Sequence, residues 1–115
     1  MNGEAPDPGK RWTVRDRYGN EVYLTHERWE HIIDPENHEN MAGCEANLLT
    51  TIEHGRRRQD ADEPAKYHYQ MAFRGLPFPF THIKAVVLSR PGHDEDMKTV
   101  PNNFIVTAFL AEWGA

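Results

Sequence analysis

The segment Leu24-Thr-His-Glu-Arg-Trp-Glu-His-Ile-Ile33 carries two histidines, two glutamates, an arginine and a tryptophan. Imidazoles beside carboxylates suit proton transfer, because a carboxylate raises a histidine's pKa and orients its ring. On a helix, His26 shares a face with Glu30, and Glu27 with His31, each pair four residues apart. The plain reading is two surface pairs; the sharper one is a base, His31, oriented by Glu27. His26-Glu27 with His31 is one residue longer than the zinc spacing H-E-x-x-H. Five helical residues turn about 500°, so the two rings lie roughly 140° apart and do not share a metal.

The surrounding residues specify the helix that would hold these groups. Thr25 suits the N-cap, and Glu27 suits the positive end of the helix dipole. Trp29, Ile32 and Ile33 mark one buried face. Asp34-Pro35 ends the helix, since a residue before proline avoids the α region.

The chain has 115 residues, 38% of them hydrophobic and 27% charged, which suits one soluble globular domain with a modest core. Residues 1–10, with their prolines and glycines, are expected to be a disordered lead, and 11–115 a single domain. With no apolar run near twenty residues and no signal-peptide pattern, no membrane role is expected and the cytoplasm is the default location. The lone Cys44 excludes an internal disulfide and sits in an apolar stripe, where a small buried hydrophobe is the simplest role. A formal charge of −5 argues against broad, non-specific nucleic-acid binding but leaves room for a local basic site.

Along the chain, Trp12–Arg17 and Glu21–Leu24 flank the turn residues Tyr18-Gly19-Asn20 and predict a β-hairpin. Met41, Cys44, Leu48, Leu49 and Ile52 predict a second helix from about Glu39 to His54, capped by Asn37 or Asn40 and followed by Gly55 as a C′ glycine. Arg56–Asp60 is a short basic run. Lys66–Arg74 alternates, with Tyr67, Tyr69, Met71 and Phe73 on one face and His68, Gln70, Ala72 and Arg74 on the other. Ile83–Ser89 and Asn103–Leu110 are apolar enough to be central strands. The connections between successive strands are too short for crossover helices, which predicts an antiparallel sheet. The expected class is α+β: an N-terminal hairpin and two helices packed on a three- to four-stranded antiparallel sheet.

Thr25-x-x-Arg-Trp-x-His-Ile32, the long second helix ending near Thr50-Thr-Ile52, the basic residues after it, Tyr67-His-Tyr69 and Ile105-Val-Thr-Ala-Phe109 occur in an order that resembles a known group. It is the phage- and toxin-associated nuclease superfamily of barnase, EndoU, colicin nucleases and RelE, and more closely a set of small uncharacterised bacterial proteins related to it. The resemblance runs from about Trp12 to Phe109. It implies N-terminal helices on an antiparallel sheet, a metal-independent, toxin-like endoribonuclease activity, RNA as substrate and no cofactor. By position it implies His31, an arginine among Arg56–Arg58, a polar residue on the Tyr67–Arg74 strand, and Thr107.

Metal-free RNA cleavage needs a base for the 2′-OH, a cation for the phosphorane-like transition state, and an acid for the 5′ oxygen. His31 is the candidate base and Arg58 or Arg56 the phosphate clamp. His68 or Tyr69 is the candidate acid, with Arg74 assisting, and Arg56, Arg57 and Tyr69 the substrate contacts. Each has a structural alternative. The arginines suit an edge strand protected by charge, Tyr67 and Tyr69 suit a core, and Thr107 suits any strand. A different class of function is a non-catalytic interaction module using the proline-aromatic loop Leu76–Phe80, a homodimer being the simplest case. The partners to expect are RNA, a second copy of the chain or an inhibitor protein. His93, Asp94 and Asp96 could suggest a metal, but they lie in a loop with no fixed geometry, and an ordinary solvated acidic loop explains them far better.

Overall fold

A computed structural model describes residues 9–37 and 40–112. Most of the expected disordered lead lies outside the described residues, but Lys10 already opens the first strand. The strands are β1 (Lys10–Arg15), β2 (Glu21–Thr25), β3 (Arg56–Gln59), β4 (Lys66–Ala72), β5 (His82–Ser89), β6 (Gly92–His93), β7 (Thr99–Val100) and β8 (Asn103–Ala111). The helices are α1 (His26–Ile33) and α2 (Glu45–His54), with a 3-10 turn at Met41–Gly43. No helix among the described residues is long and apolar enough to cross a membrane.

The class is α+β, but the sheet is larger than expected and mixed. Six strands lie in the order β1-β2-β8-β5-β4-β3, while β6 and β7 form a separate two-stranded ribbon. The N-terminal hairpin is present and is part of the sheet, because β2 pairs with β8 in parallel through Val22–Asn103 and Tyr23–Phe104. Short connections constrain the direction of successive strands only. The chain between β2 and β8 contains both helices and every other strand after the hairpin, so a parallel pairing is unrestricted there.

Both helices cover one face of this sheet. The core joins Trp29 and Ile32 of α1 and Leu48 and Ile52 of α2 to Leu24, Tyr69, Ile83, Val87, Ile105 and Ala108 from the strands. The Thr25 hydroxyl accepts from the Arg28 N–H at 3.0 Å, as a capping residue should, and Asp34 closes α1. The second helix begins at Glu45, later than its apolar stripe suggests, because Met41–Gly43 forms a tighter turn first. Arg11 and Trp12 hold its first turn. Arg11 makes a two-pronged ion pair with Glu45, and the Trp12 indole donates to Glu45 at 3.0 Å. A β-bulge between Lys10 and Trp12 lets these neighbouring residues reach the same carboxylate. Cys44 is free, buried at the start of α2, and its thiol is pushed up by burial.

Gly55 does not act as a left-handed cap, since its φ is −70°. A Cβ there would lie 2.3 Å from the Thr51 carbonyl oxygen and 2.7 Å from that of Gln70. The residue is glycine because α2 meets β4 backbone to backbone. This crossing delivers the chain directly into β3, the arginine-rich edge strand.

Candidate functional site

Strand pairing sorts the polar residues onto the two faces. Arg57, Tyr69, Ala85 and Ala108 form one row across β3, β4, β5 and β8, on the helix-covered side. The rows on either side of it face away from the helices. One is Arg58, His68, Val86 and Thr107; the other is Arg56, Gln70, Lys84 and Phe109. Neighbours within a row stand about 5 Å apart at Cβ, and the two rows about 7 Å apart along the strands. Arg56, Arg58, His68, Gln70, Lys84 and Phe109 line a cleft of about 370 Å³ on this open face. The lining is cationic, with Asp60 against His68 as the acid at its rim, so a chain of net charge −5 still presents a local basic surface here.

His68 is the group in this cleft equipped for proton transfer. Its Nε2 lies 2.7 Å from Oδ2 of Asp60. The other carboxylate oxygen of Asp60 accepts from the backbone N–H groups of Asp62 at 2.9 Å and Glu63 at 3.0 Å. The Asp60 N–H donates to the Lys66 carbonyl at 2.8 Å, tying the turn across the hairpin. The His68 contact, then the two backbone donors, hold the Asp60 carboxyl well below the usual carboxylate range. Asp60 is therefore ionised at any ordinary pH. In the neutral ring it favours the tautomer with the proton on Nε2, leaving the Nδ1 lone pair as a base.

Tyr69, the next residue on β4, points the other way. Its side chain is 1% exposed and its hydroxyl donates to Oδ2 of the buried Asp16 at 2.5 Å. Burial and that carboxylate push the phenol far up. Burial also works against ionisation of Asp16, but the hydrogen bonds from Tyr69, Asn20 and Tyr18 outweigh it and hold its carboxyl below the ordinary value. Asp16 thereby closes the β1–β2 turn, accepting from the N–H groups of Tyr18 at 2.9 Å and Asn20 at 2.8 Å.

The sequence-derived residues thus separate. Arg56, Arg58, His68 and Thr107 come together on the open face. Arg57 turns to the helix side, where its guanidinium lies 4.6 Å from the Tyr67 ring centre and 4.8 Å from that of Tyr18. Tyr69 is core, and its hydroxyl is engaged by Asp16 beneath the cleft it helps to line. Arg74 is exposed beyond the end of β4, about six residues or roughly 20 Å along from His68. His31 lies on α1, two residues or about 200° around the axis from the buried Trp29. The sheet separates it from the open-face cleft. Its Nδ1 is 3.4 Å from the Asn37 amide, and Glu27 lies 3.8 Å from Arg28.

Asp60, against His68, and Lys84, in the cleft wall, are candidates that the sequence does not single out. Asp60 falls in a polar turn and looks like a turn former. Its second role becomes legible only with the β3–β4 register, which sets Arg58 opposite His68 and brings the turn back over that ring. Lys84 lies in a strand read as apolar and central, although its alternation with Ile83 and Ala85 places it on the opposite face.

Asp94 accepts from the N–H groups of Asp96 and Lys98, both at 2.9 Å, so it shapes the β6–β7 turn. No cluster of three or more metal-binding side chains occurs among the described residues. Comparison with protein-family models, with curated proteins and with solved structures found no match for this chain.

Proposed function

We propose that this protein is a metal-independent endoribonuclease on a RelE/barnase-like scaffold, with its active face the uncovered side of the sheet. The observation that carries this reading is the Asp60-oriented His68 set among Arg56, Arg58 and Lys84. In the reaction, the Nδ1 lone pair of His68 takes the 2′-OH proton. The 2′ oxygen attacks phosphorus, and the bond from phosphorus to the 5′ oxygen breaks. The departing oxygen is basic enough to take a proton from Lys84 or from water. The products are a 2′,3′-cyclic phosphate and a 5′-hydroxyl. Arg58 and Arg56 face the non-bridging oxygens, where guanidinium forks suit the charge that builds in the transition state.

An RNA oligonucleotide with one 2′-deoxy position, incubated in EDTA, tests this chemistry. The expected result is cyclic-phosphate ends and a block at the deoxy position. Cleavage at that position, or 3′-hydroxyl products, would refute the mechanism. A second reading, a protein-interaction module, draws on Phe78, which is 97% exposed in the loop between β4 and β5. It predicts that Phe78→Ser abolishes self-association, measured by sedimentation, with no nuclease activity in the parent protein.

A further inference from the structure

The open face has a second half that the cleavage chemistry does not use. Toward β2 and β8 its character changes from cationic to aromatic. Val22 and Leu24 are fully buried in the core, so Tyr23 between them faces outward. Phe104 is its register partner on β8 and likewise alternates with the buried Ile105. The two half-buried rings lie 6.0 Å apart, tilted by 36°. The Lys10 ammonium stands 4.2 Å from the Tyr23 ring centre. The chain turns away from the sheet into α1 just after Thr25, leaving a largely apolar cleft of about 440 Å³ beside these rings. Its wall includes Arg28, whose guanidinium donates to the Val106 carbonyl at 3.3 Å. Glu27 is the acid in that wall, and its carboxylate lies 3.8 Å from Arg28.

We infer that Tyr23 and Phe104 form a nucleobase-stacking subsite, so that the occupant of the open face is single-stranded RNA bound from the aromatic end to the cationic end. This deepens the proposed function and rests on its assignment of the face. Three features converge on this occupant. A single strand offers both unpaired bases for the rings and phosphates for the cations, the combination that single-strand binders use. The partly buried Val86, Leu88 and Thr107 bridge the two ends without a carboxylate. Tyr23 on β2 is three strands from His68 on β4, roughly 15 Å, a span suited to a short oligonucleotide. A paired helix hides its bases in the stack and would meet the cations alone.

The test measures binding of a 2′-O-methyl RNA oligonucleotide, which cannot be cleaved, as a single strand and as a duplex. Tyr23→Leu and Phe104→Leu should each weaken single-strand binding roughly 5- to 150-fold and leave duplex binding unchanged. Tyr23→Phe keeps the ring while losing its 2.7 Å bond to Asn102; it should bind like the parent, which separates stacking from folding. Equal binding of single strand and duplex by the parent would overturn the inference, as would leucine variants that bind normally. So would a parent dimer that these variants dissociate, since the rings would then contact a second copy. The two claims fail separately: a parent that binds the single strand in this way but never cleaves unmodified RNA refutes the nuclease reading alone. A parent that cleaves with a KM unaffected by Tyr23→Leu refutes the stacking subsite alone.

Discussion

Two neighbouring residues of β4 each bond to an aspartate, on opposite faces of one sheet. Tyr69 donates to Asp16 inside the core, where the tyrosine is 1% exposed and the aspartate 4%. His68 contacts Asp60 at the rim of the open face, where the side chains are 31% and 22% exposed. The chemistry is similar and the consequences differ. The buried pair is committed, because every proton and lone pair it uses is withdrawn from water, and losing one partner strands the other. The rim pair is available. Asp60 is fixed by backbone donors, while the histidine keeps a second nitrogen for a substrate. The first pair stabilises the fold, and the second leaves an imidazole at the open face.

That contrast can be broken most sharply in the rate of RNA cleavage. His68→Ala is expected to lower it by about 10²- to 10⁴-fold, the usual worth of a general base. Asp60→Asn should cost less, about 10-fold, because the ring remains but loses its fixed tautomer. On the buried side the readout is stability. Asp16→Ala should lower unfolding stability by about 3 kcal/mol in urea denaturation, since it strands the Tyr69 hydroxyl and two turn N–H groups. Its rate per folded molecule should match the parent. Gly55→Ala should cost about 2 kcal/mol, because backbone oxygens would have to move away from the added Cβ. A variant that lost both rate and stability would blur the distinction between the two pairs.

Acid sharpens the comparison further. Asp16 has a carboxyl pKa lowered by folding. Its contribution is present in full above the unfolded value near pH 4 and is lost as pH falls through the folded value. Thermal melting of the parent should therefore change little from pH 7 to pH 5 and fall below about pH 4. The drop should be shallower in Asp16→Asn, which has no proton to take up. The smallest expected effects are those of His31→Ala and Arg74→Ala on cleavage, within about 2-fold, because neither lies in the open-face cleft.

How much the chain declares in advance follows from the range of the interactions. The β1–β2 hairpin, α1 with its Thr25 cap, and the alternation of β4 are set by neighbours a few residues apart, and they are legible. The separation of His68 from Tyr69 follows from that alternation alone. The parallel β2–β8 pairing is not legible, since partners such as Tyr23 and Phe104 are far apart in sequence. Asp60 hides in a turn that would attract an aspartate for local reasons. Gly55 looks like a helix cap because its position fits one, while its cause is a strand that arrives later in the chain. His31 has the composition of an active-site residue and lies across the sheet from His68, a placement no local pattern carries.

If RNA is cut on the open face, with the site organised by His68 and Asp60, then His68 is indispensable to cleavage and dispensable to folding. The most direct measurement is cleavage of single-stranded RNA in EDTA by the parent and His68→Ala, with the urea midpoint of each determined in parallel. The expected result is cleavage by the parent, a loss of at least about 100-fold in the variant, and midpoints that agree. An active variant, or a variant whose midpoint falls together with its rate, would contradict it.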